Sequence, residues 1–323
     1  MKKKVAVIYG GYSSEFEVSK KSANTIYSNL DTDLYEPYLV EISPKSWYVH
    51  IRGGVAPIDK NKFTYLLNDK VHHFDLAFIT IHGTPGEDGK LQGYFDMIGL
   101  PYVNSEPLSS GLSFNKWACN SFLRDYGIST AKAILLRQPE HVHPIQIADE
   151  LGFPCFVKPN DGGSSYGISK VNTLMEMPDA IANAFSEGNE VVIESFIKGR
   201  ELTCGLYYNG TEVIALPITE IKSENDFFDF DAKYNGKSKE ITPAEISQEL
   251  ANEIKSVSKS IYNRLDLNAL ARIDYIVTED NEIFLIEVNT TPGMTPKSIV
   301  PQQIEKAGLI LKNVLTEIIK TVS

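Results

Sequence analysis

Ala271-Arg-Ile-Asp-Tyr-Ile-Val-Thr-Glu-Asp-Asn-Glu-Ile-Phe-Leu-Ile-Glu-Val-Asn-Thr-Thr-Pro-Gly-Met294 is the stretch on which the reading of this chain turns. Two β-branched and aromatic runs flank a polar tip, Thr278 to Glu282, which is the pattern of a β-hairpin. Taking Asp280-Asn281 as a two-residue turn pairs Tyr275 with Ile286, Val277 with Phe284 and Ile273 with Val288, giving one apolar face. The other face then sets Asp274 across from Glu287 and Arg272 across from Asn289. Directly opposed residues have Cβ atoms only ~5 Å apart, and like charges there repel. Taken alone, a pair of acids on an edge hairpin reads as a solvated polar face. The arginine on the same face and the Thr-Thr-Pro-Gly loop that follows favour a cation between the acids. Hard oxygen donors without Cys or His suit Mg²⁺ or Mn²⁺ carrying substrate phosphates.

The chain has 323 residues, enough for two or three domains. Its net charge of −11 argues against non-specific nucleic-acid binding, and any polyphosphate site must gather its cations locally. The apolar run Val5 to Tyr9 behind Met1-Lys-Lys-Lys4 is too short for a signal peptide, and no stretch reaches membrane-spanning length. Cys119, Cys155 and Cys204 are odd in number and widely spaced, which fits a reducing cytoplasm and supports neither disulfides nor zinc.

Lys4 to Tyr9 reads as a buried parallel strand ending at Gly10-Gly11, followed by a helix from Val18 to Leu30. Ser14 and Glu17 have capping-box spacing. Strand, glycine turn and helix suggest a doubly wound α/β start, although the full G-x-G-x-x-G is missing. A second strand, Phe74 to Ile81, delivers His82-Gly-Thr-Pro-Gly-Glu-Asp-Gly89 to the end of the sheet where such folds bind ligands. A lone histidine is more often merely packed or solvated. Further on, Lys116 stands in the first turn of a helix, a setting that suits an anion. The strand Cys155 to Lys158 runs into Pro159-Asn-Asp-Gly-Gly-Ser-Ser-Tyr-Gly167, whose glycines free backbone N–H groups to wrap an anion. It is not a Walker loop, because the lysine precedes the glycines, and a plain flexible loop is the alternative. Arg200 to Tyr208 and Glu212 to Glu220 read as a hairpin over Asn209-Gly210. The polar stretch Ile221 to Thr242, with its aromatic cluster Phe227 to Tyr234, reads as a closing lid. A helix is expected from Glu245 to Leu265, another of about two turns from Ile299, and a last one from Leu309 to Ile319.

Arg272-x-Asp274 … Glu287-x-Asn289-Thr-x-Pro-Gly293 resembles the metal-binding end of the ATP-grasp ligases. Gly-Gly-x-Ser-x-Glu-x-Glu-Val-Ser and His-Gly-x-x-Gly-Glu-Asp-Gly, both intact here, are similar to signature segments of the D-alanine–D-alanine ligases. The resemblance covers essentially the whole chain. It implies an α/β and α+β fold of the ATP-grasp kind in three domains: residues 1–104, 105–194, and 195–323 with the metal hairpin and the mobile loop. ATP would lie between the last two. It implies that Glu15 holds the ammonium of the first D-alanine, that His82 lines the same pocket, and that Ser298 and Ile299 bind a substrate carboxylate at a helix start. Lys116 and Lys158 would contact the α- and β-phosphates, Lys233 the γ-phosphate, and Ser164 and Ser165 would belong to the covering loop. Glu194, Ser195, Phe196 and Ile197 would form the adenine hinge, and Glu201 would bind the ribose hydroxyls. Two metal ions would rest on Asp274, Glu287 and Asn289. Ser164, Tyr234 and Glu15 would join the subsites, and Arg272 with the Gly293 amide would stabilise an oxyanion. Tyr166 stands where a small aliphatic is usual, and Asn115 where Asp is common. The expected activity is ATP-dependent formation of D-alanyl-D-alanine for peptidoglycan, by a cytoplasmic homodimer without nucleic-acid or membrane partners. A ligase making D-alanyl-D-lactate and a non-catalytic nucleotide-binding protein are the alternatives; Tyr234 leans toward the dipeptide.

Overall fold

Val5 to Ile8 are fully buried, as a strand covered on both faces by helices must be. They lie in β1 (Lys3–Gly10), which leads through Gly10-Gly11 to α1 (Phe16–Asn29). The computed structural model describes residues 2–137, 144–163, 166–223 and 238–322. Ser19, Ser22, Ala23 and Ile26 turn one stripe of α1 inward. The expected capping box is not formed: Glu15 is the N-cap and makes no side-chain cap, so Ser14 and Glu17 stand one position out of phase. Ser13 organises the turn instead, accepting from the Glu15 N–H at 3.3 Å and donating to the His82 carbonyl at 2.8 Å.

After α1 come β2 (Tyr35–Ile42), β3 (Trp47–Ile51), β4 (Gly54–Asp59), β5 (Thr64–Leu67), β6 (Lys70–His72) and β7 (Leu76–Ile79). Next are α2 (Lys90–Ile98) and β8 (Tyr102–Val103). They form one sheet in the order β6-β5-β4-β3-β2-β1-β7-β8, parallel from β2 to β8 and antiparallel beyond β2. The doubly wound start is therefore present, with an antiparallel extension at one side.

Then α3 (Pro107–Phe114) and α4 (Lys116–Arg124) lead to a four-stranded sheet. It comprises β9 (Ala133–Arg137), β10 (Cys155–Pro159), β11 (Ser169–Val171) and β12 (Glu190–Ser195), with α5 (Pro144–Leu151) and α6 (Met177–Glu187) packed on it. The third sheet holds β13 (Arg200–Tyr208), β14 (Val213–Ala215), β15 (Thr219–Ser223) and β16 (Ser238–Ile241). It also holds β17 (Leu270–Val277) and β18 (Ile283–Asn289), with α7 (Gln248–Arg264) packed on it. The expected return arm from Glu212 to Glu220 is split into β14 and β15, since the pairing shifts between Leu206↔Ala215 and Thr203↔Thr219. Cys119 and Leu123 of α4 join the apolar cluster of this sheet. The chain closes with α8 (Ile299–Lys306) and α9 (Leu311–Thr321), whose Val314, Leu315, Ile318 and Ile319 pack with residues of β1 and α1.

The decisive hairpin forms, with a correction to its far half. Arg272↔Asn289, Ile273↔Val288 and Asp274↔Glu287 pair as expected. Beyond them the register slips at a β-bulge, so that Tyr275 faces Leu285 and Val277 faces Ile283, leaving Ile286 as the extra residue. The turn is correspondingly Glu279-Asp280-Asn281, with Asn281 at φ 63° and the Thr278 N–H donating to the Glu282 carbonyl. Leu285 thereby takes the core position beside Tyr275, and Ile286 turns to the opposite face. Leu285→Ala should cost about 2–5 kcal/mol in denaturant unfolding. Ile286→Ala, on the cavity side of the bulge, should cost well under half as much; equal losses would contradict this register.

Candidate functional site

The polar face of the hairpin is a network of paired charges. Arg272 donates from Nε to Asp274 Oδ1 at 2.9 Å and from Nη2 to Oδ2 at 2.7 Å, a bidentate pair within one strand. Burial works against the Arg272 cation, but Asp274, Glu287 and Glu201 outweigh it and hold its pKa above the usual arginine value. Thr203, opposite Asp274 in β13, donates its hydroxyl to Oδ1. Asn289 Nδ2 donates to Asp274 Oδ2 at 3.1 Å and to Glu287 Oε1 at 3.5 Å. The Asn289 amide thus lies between the two carboxylates with its donor end inward, and an amide flip would turn its oxygen there instead. Among the described residues no cluster of three His, Cys, Asp or Glu gathers anywhere, so two carboxylates and an amide oxygen are what this face offers a metal. That donor set fits a hard divalent cation with further oxygens from phosphate or water.

Two cavities meet at this face. The first, about 670 Å³, lies between the second and third sheets. Its walls include Lys158, Glu194, Ser195, Phe196, Ile197 and Glu201, all six expected around a nucleotide. Lys158 Nζ lies 2.7 Å from Glu194 Oε2, and both side chains are buried. Phe156, Phe196, Ile276 and Ile286 supply apolar wall. The second cavity, about 810 Å³, is lined by Glu15, His82, Asn289, Gly293, Ser298 and Ile299. Lys116, Gly162, Gly163, Arg272 and Glu287 line both. Lys116 Nζ donates to the Gly162 carbonyl at 2.7 Å and stands 3.6 Å from Glu287 Oε2.

One expected feature is absent. The first amides of α4 are not open to an anion, because Asn160 takes the N–H groups of Lys116 at 3.1 Å and Trp117 at 2.8 Å, and the Asn115 side chain caps Ala118. Only the side chain of Lys116 remains for that purpose. Ser164, Ser165, Lys233 and Tyr234 lie outside the described residues. The glycine loop nevertheless reaches the second cavity: a Cβ on Gly163 would stand 2.8 Å from Glu15 Oε2.

In the second cavity His82 is buried, near Ser22 Oγ (3.4 Å), and burial pushes its pKa down, assisted by Arg272 and opposed by Glu15. Burial thus favours its uncharged form. Ser22 Oγ in turn accepts from the Met294 N–H at 3.0 Å, which joins α1 to the Pro-Gly loop. Ser298 is the N-cap of α8 but spends its hydroxyl on Thr295, at 2.8 Å from Oγ1 and 3.1 Å from N, and its own N–H on the Thr295 carbonyl at 2.8 Å, so the helix start that lines the cavity has no side-chain cap. Two further acids line this cavity that sequence reading did not single out. Glu87 is buried and accepts from the Gly83 N–H at 2.7 Å; burial, with Glu15 and Glu287, pushes its pKa up to about 8. Its position within His82-Gly-Thr-Pro-Gly-Glu-Asp-Gly89 was the available signal. Glu240, from β16, is held by Gln302 Nε2 at 2.7 Å and has its pKa raised by burial; no local pattern marked it.

A family model described as the D-ala D-ala ligase N-terminus matches residues 4–105, and one described as the D-ala D-ala ligase C-terminus matches residues 122–320. The chain belongs to the D-alanine–D-alanine ligase family. It is 50% identical to the D-alanine–D-alanine ligase of Parabacteroides distasonis over 99% of this chain and 97% of that one. The VanG D-Ala:D-Ser ligase from Enterococcus faecalis superposes with a TM-score of 0.89 at 32% identity, covering 100% of both chains. A D-alanine–D-alanine ligase from Bacillus anthracis complexed with ATP superposes with a TM-score of 0.79 at 32% identity, over 99% of this chain and 97% of that one. The architecture is therefore the ATP-grasp fold of this family, and the chain is a ligase. No helix among the described residues is long and apolar enough to cross a membrane.

Glu87 gives a pH test of this geometry. Its folded pKa of about 8 lies above the ordinary 4.5, so between those values the unfolded chain gives up a proton that the folded chain retains. Its burial consequently costs more stability as pH rises through that window. Glu87→Gln, which can still accept from Gly83, should gain thermal stability relative to the wild type as pH goes from about 5 to about 8, with no further gain above. A difference independent of pH would show that Glu87 ionises normally.

Proposed function

We propose that this chain joins two D-alanines into D-alanyl-D-alanine at the expense of ATP, through an acyl phosphate. What carries the reading is the meeting of two cavities at Lys116, Arg272 and Glu287. ATP in the first cavity extends its terminal phosphate to that junction, and a D-alanine in the second brings its carboxylate there. The ATP-complexed relative from Bacillus anthracis supports the nucleotide assignment. Residues 105–194 and 195–323 supply the two walls of the nucleotide cleft, and residues 1–104 supply Glu15, His82 and Glu87. The enzyme acts in the cytoplasm as a homodimer.

Carboxylates are poor electrophiles, and transfer of the phosphoryl group to the carboxylate oxygen supplies a leaving group. The amine of the second D-alanine then attacks the acyl carbon, and inorganic phosphate departs as the amide forms. Glu15 pairs with the ammonium of the first D-alanine, with His82 beside it. The start of α8, at Ser298 and Ile299, holds the carboxylate of the second through the Ile299 amide. Mg²⁺ or Mn²⁺ held by Asp274, Glu287 and Asn289 would neutralise polyphosphate charge, as two ions. Lys116 and Lys158 add fixed positive charge in a chain that is otherwise acidic. Arg272 and the Gly293 N–H face the oxygen on which charge builds during acyl transfer, where preorganised donors stabilise it without reorganisation.

D-serine stands as the rival acceptor, because the VanG relative is a D-Ala:D-Ser ligase. ADP release measured with D-alanine alone, and with D-alanine plus D-serine, D-lactate or L-alanine, with and without Mg²⁺, decides among them. Release with D-alanine alone, and dipeptide as its product, is expected. Release only when a second acceptor is supplied would replace this reading, and nucleotide binding without any turnover would remove it. Arg272→Ala should lower dipeptide turnover by about 10²–10³-fold while nucleotide binding persists. Near-normal turnover in that variant would refute the role given to Arg272.

A further inference from the structure

Asp274 is the most heavily bonded group of the site, and one of its partners has no place in the chemistry above. Each carboxylate oxygen carries two hydrogen bonds. Oδ1 takes Arg272 Nε and the Thr203 hydroxyl; Oδ2 takes Arg272 Nη2 and Asn289 Nδ2. Thr203 is fully buried and sits directly across from Asp274 in the β13–β17 ladder. A β-branched side chain in a strand has restricted χ1, so its hydroxyl is aimed by the backbone.

The backbone of Thr203 is itself clamped. Two residues on, Gly205 faces Arg272 across the ladder, and a Cβ there would come within 2.4 Å of Gln303 Oε1. The glycine thus leaves room for the buried Gln303 side chain to reach from α8. Gln303 Nε2 donates to the Thr203 carbonyl at 3.1 Å and to Thr219 Oγ1 at 3.0 Å, and Thr219 Oγ1 lies 2.7 Å from Thr242 Oγ1. A helix whose first residue lines the amino-acid cavity therefore grips, one turn later, the strand that carries Thr203 opposite Asp274.

We propose that Thr203 is a positioning residue for the metal-binding carboxylate. By holding Oδ1 of Asp274, it keeps Oδ2 turned toward Asn289 and Glu287, where the cation would sit. The inference rests on the metal role given above to Asp274, Glu287 and Asn289. Partners that orient a metal ligand typically change metal affinity by about 10–100-fold when removed.

The test reads metal binding directly, by electron paramagnetic resonance titration of Mn²⁺ in the presence of ADP. Thr203→Val keeps the shape and removes the donor, and should weaken Mn²⁺ by about tenfold or more. Thr203→Ser keeps the donor and removes a methyl group, and should bind Mn²⁺ as the wild type does despite its packing loss. Wild-type Mn²⁺ affinity in Thr203→Val overturns the inference, as does an equal loss in Thr203→Ser, which would mark a packing role. If Thr203→Val does not fold, Thr203→Cys, whose thiol is only a weak donor, is read the same way. Asp274→Asn in parallel separates the two levels. Should it retain full Mn²⁺ affinity, the metal assignment fails and the role of Thr203 with it; should it lose Mn²⁺ while Thr203→Val does not, Thr203 alone is refuted.

Discussion

Two carboxylates held across a β-ladder, with a buried arginine beside them, are the constraint around which this molecule is arranged. Asp274 and Glu287 are paired by backbone register, so they cannot drift apart to relieve their repulsion. Asp274 is buried and Glu287 half-buried, and each finds cationic or donor partners: Arg272, Thr203 and Asn289 on Asp274, and Lys116 and Asn289 near Glu287. The ladder therefore fixes where the two acids stand, and their partners offset the charge they bring.

The scaffold brings distant pieces of chain to this face by ordinary means. Parallel strands β1 and β7 end in the loops that carry Glu15 and His82, on the side of the sheet where such folds place ligands. Ser22 ties α1 to the Pro-Gly loop, and Asn104 Nδ2 reaches Thr291 Oγ1 at 2.9 Å, so the first sheet and the hairpin exit are bonded to one another through buried polar groups. Glu87 completes the arrangement from within its own loop by holding the Gly83 amide.

What could be read from sequence followed the strength of local pattern. The charged end of the hairpin was legible because the alternation of apolar and polar residues allows one register there. Its far half was not, because a single extra residue at Ile286 preserves hydrophobicity while shifting every pair beyond it. Five strands between Tyr35 and His72 escaped notice, since Pro37 and Pro57 lie inside two of them and Val55, Leu66 and Val71 are exposed. The capping box failed because the spacing does not specify which residue leaves the helix. Asn160, 43 residues after Trp117, satisfies the helix amides that sequence would leave to a ligand, and nothing local announces it. Glu240 and Thr203 belong to the same class: their partners, Gln302 on α8 and Asp274 on β17, are remote in the chain.

The distribution of apolar contacts carries a mechanical consequence. One core cluster runs without a break from Val5, Val7 and Ile26 to Leu270, Val300 and Leu315, welding the first sheet to the third. The four-stranded sheet of β9 to β12 has a core of its own and meets the rest through hydrogen bonds such as those of Asn160. Sliding the welded pieces would expose hydrocarbon at about 25 cal/mol per Å², whereas the bonds of the fully buried Asn160 are directional and fix the small sheet against α4. The first and third sheets thus share one apolar body, and the small sheet keeps a core apart from it.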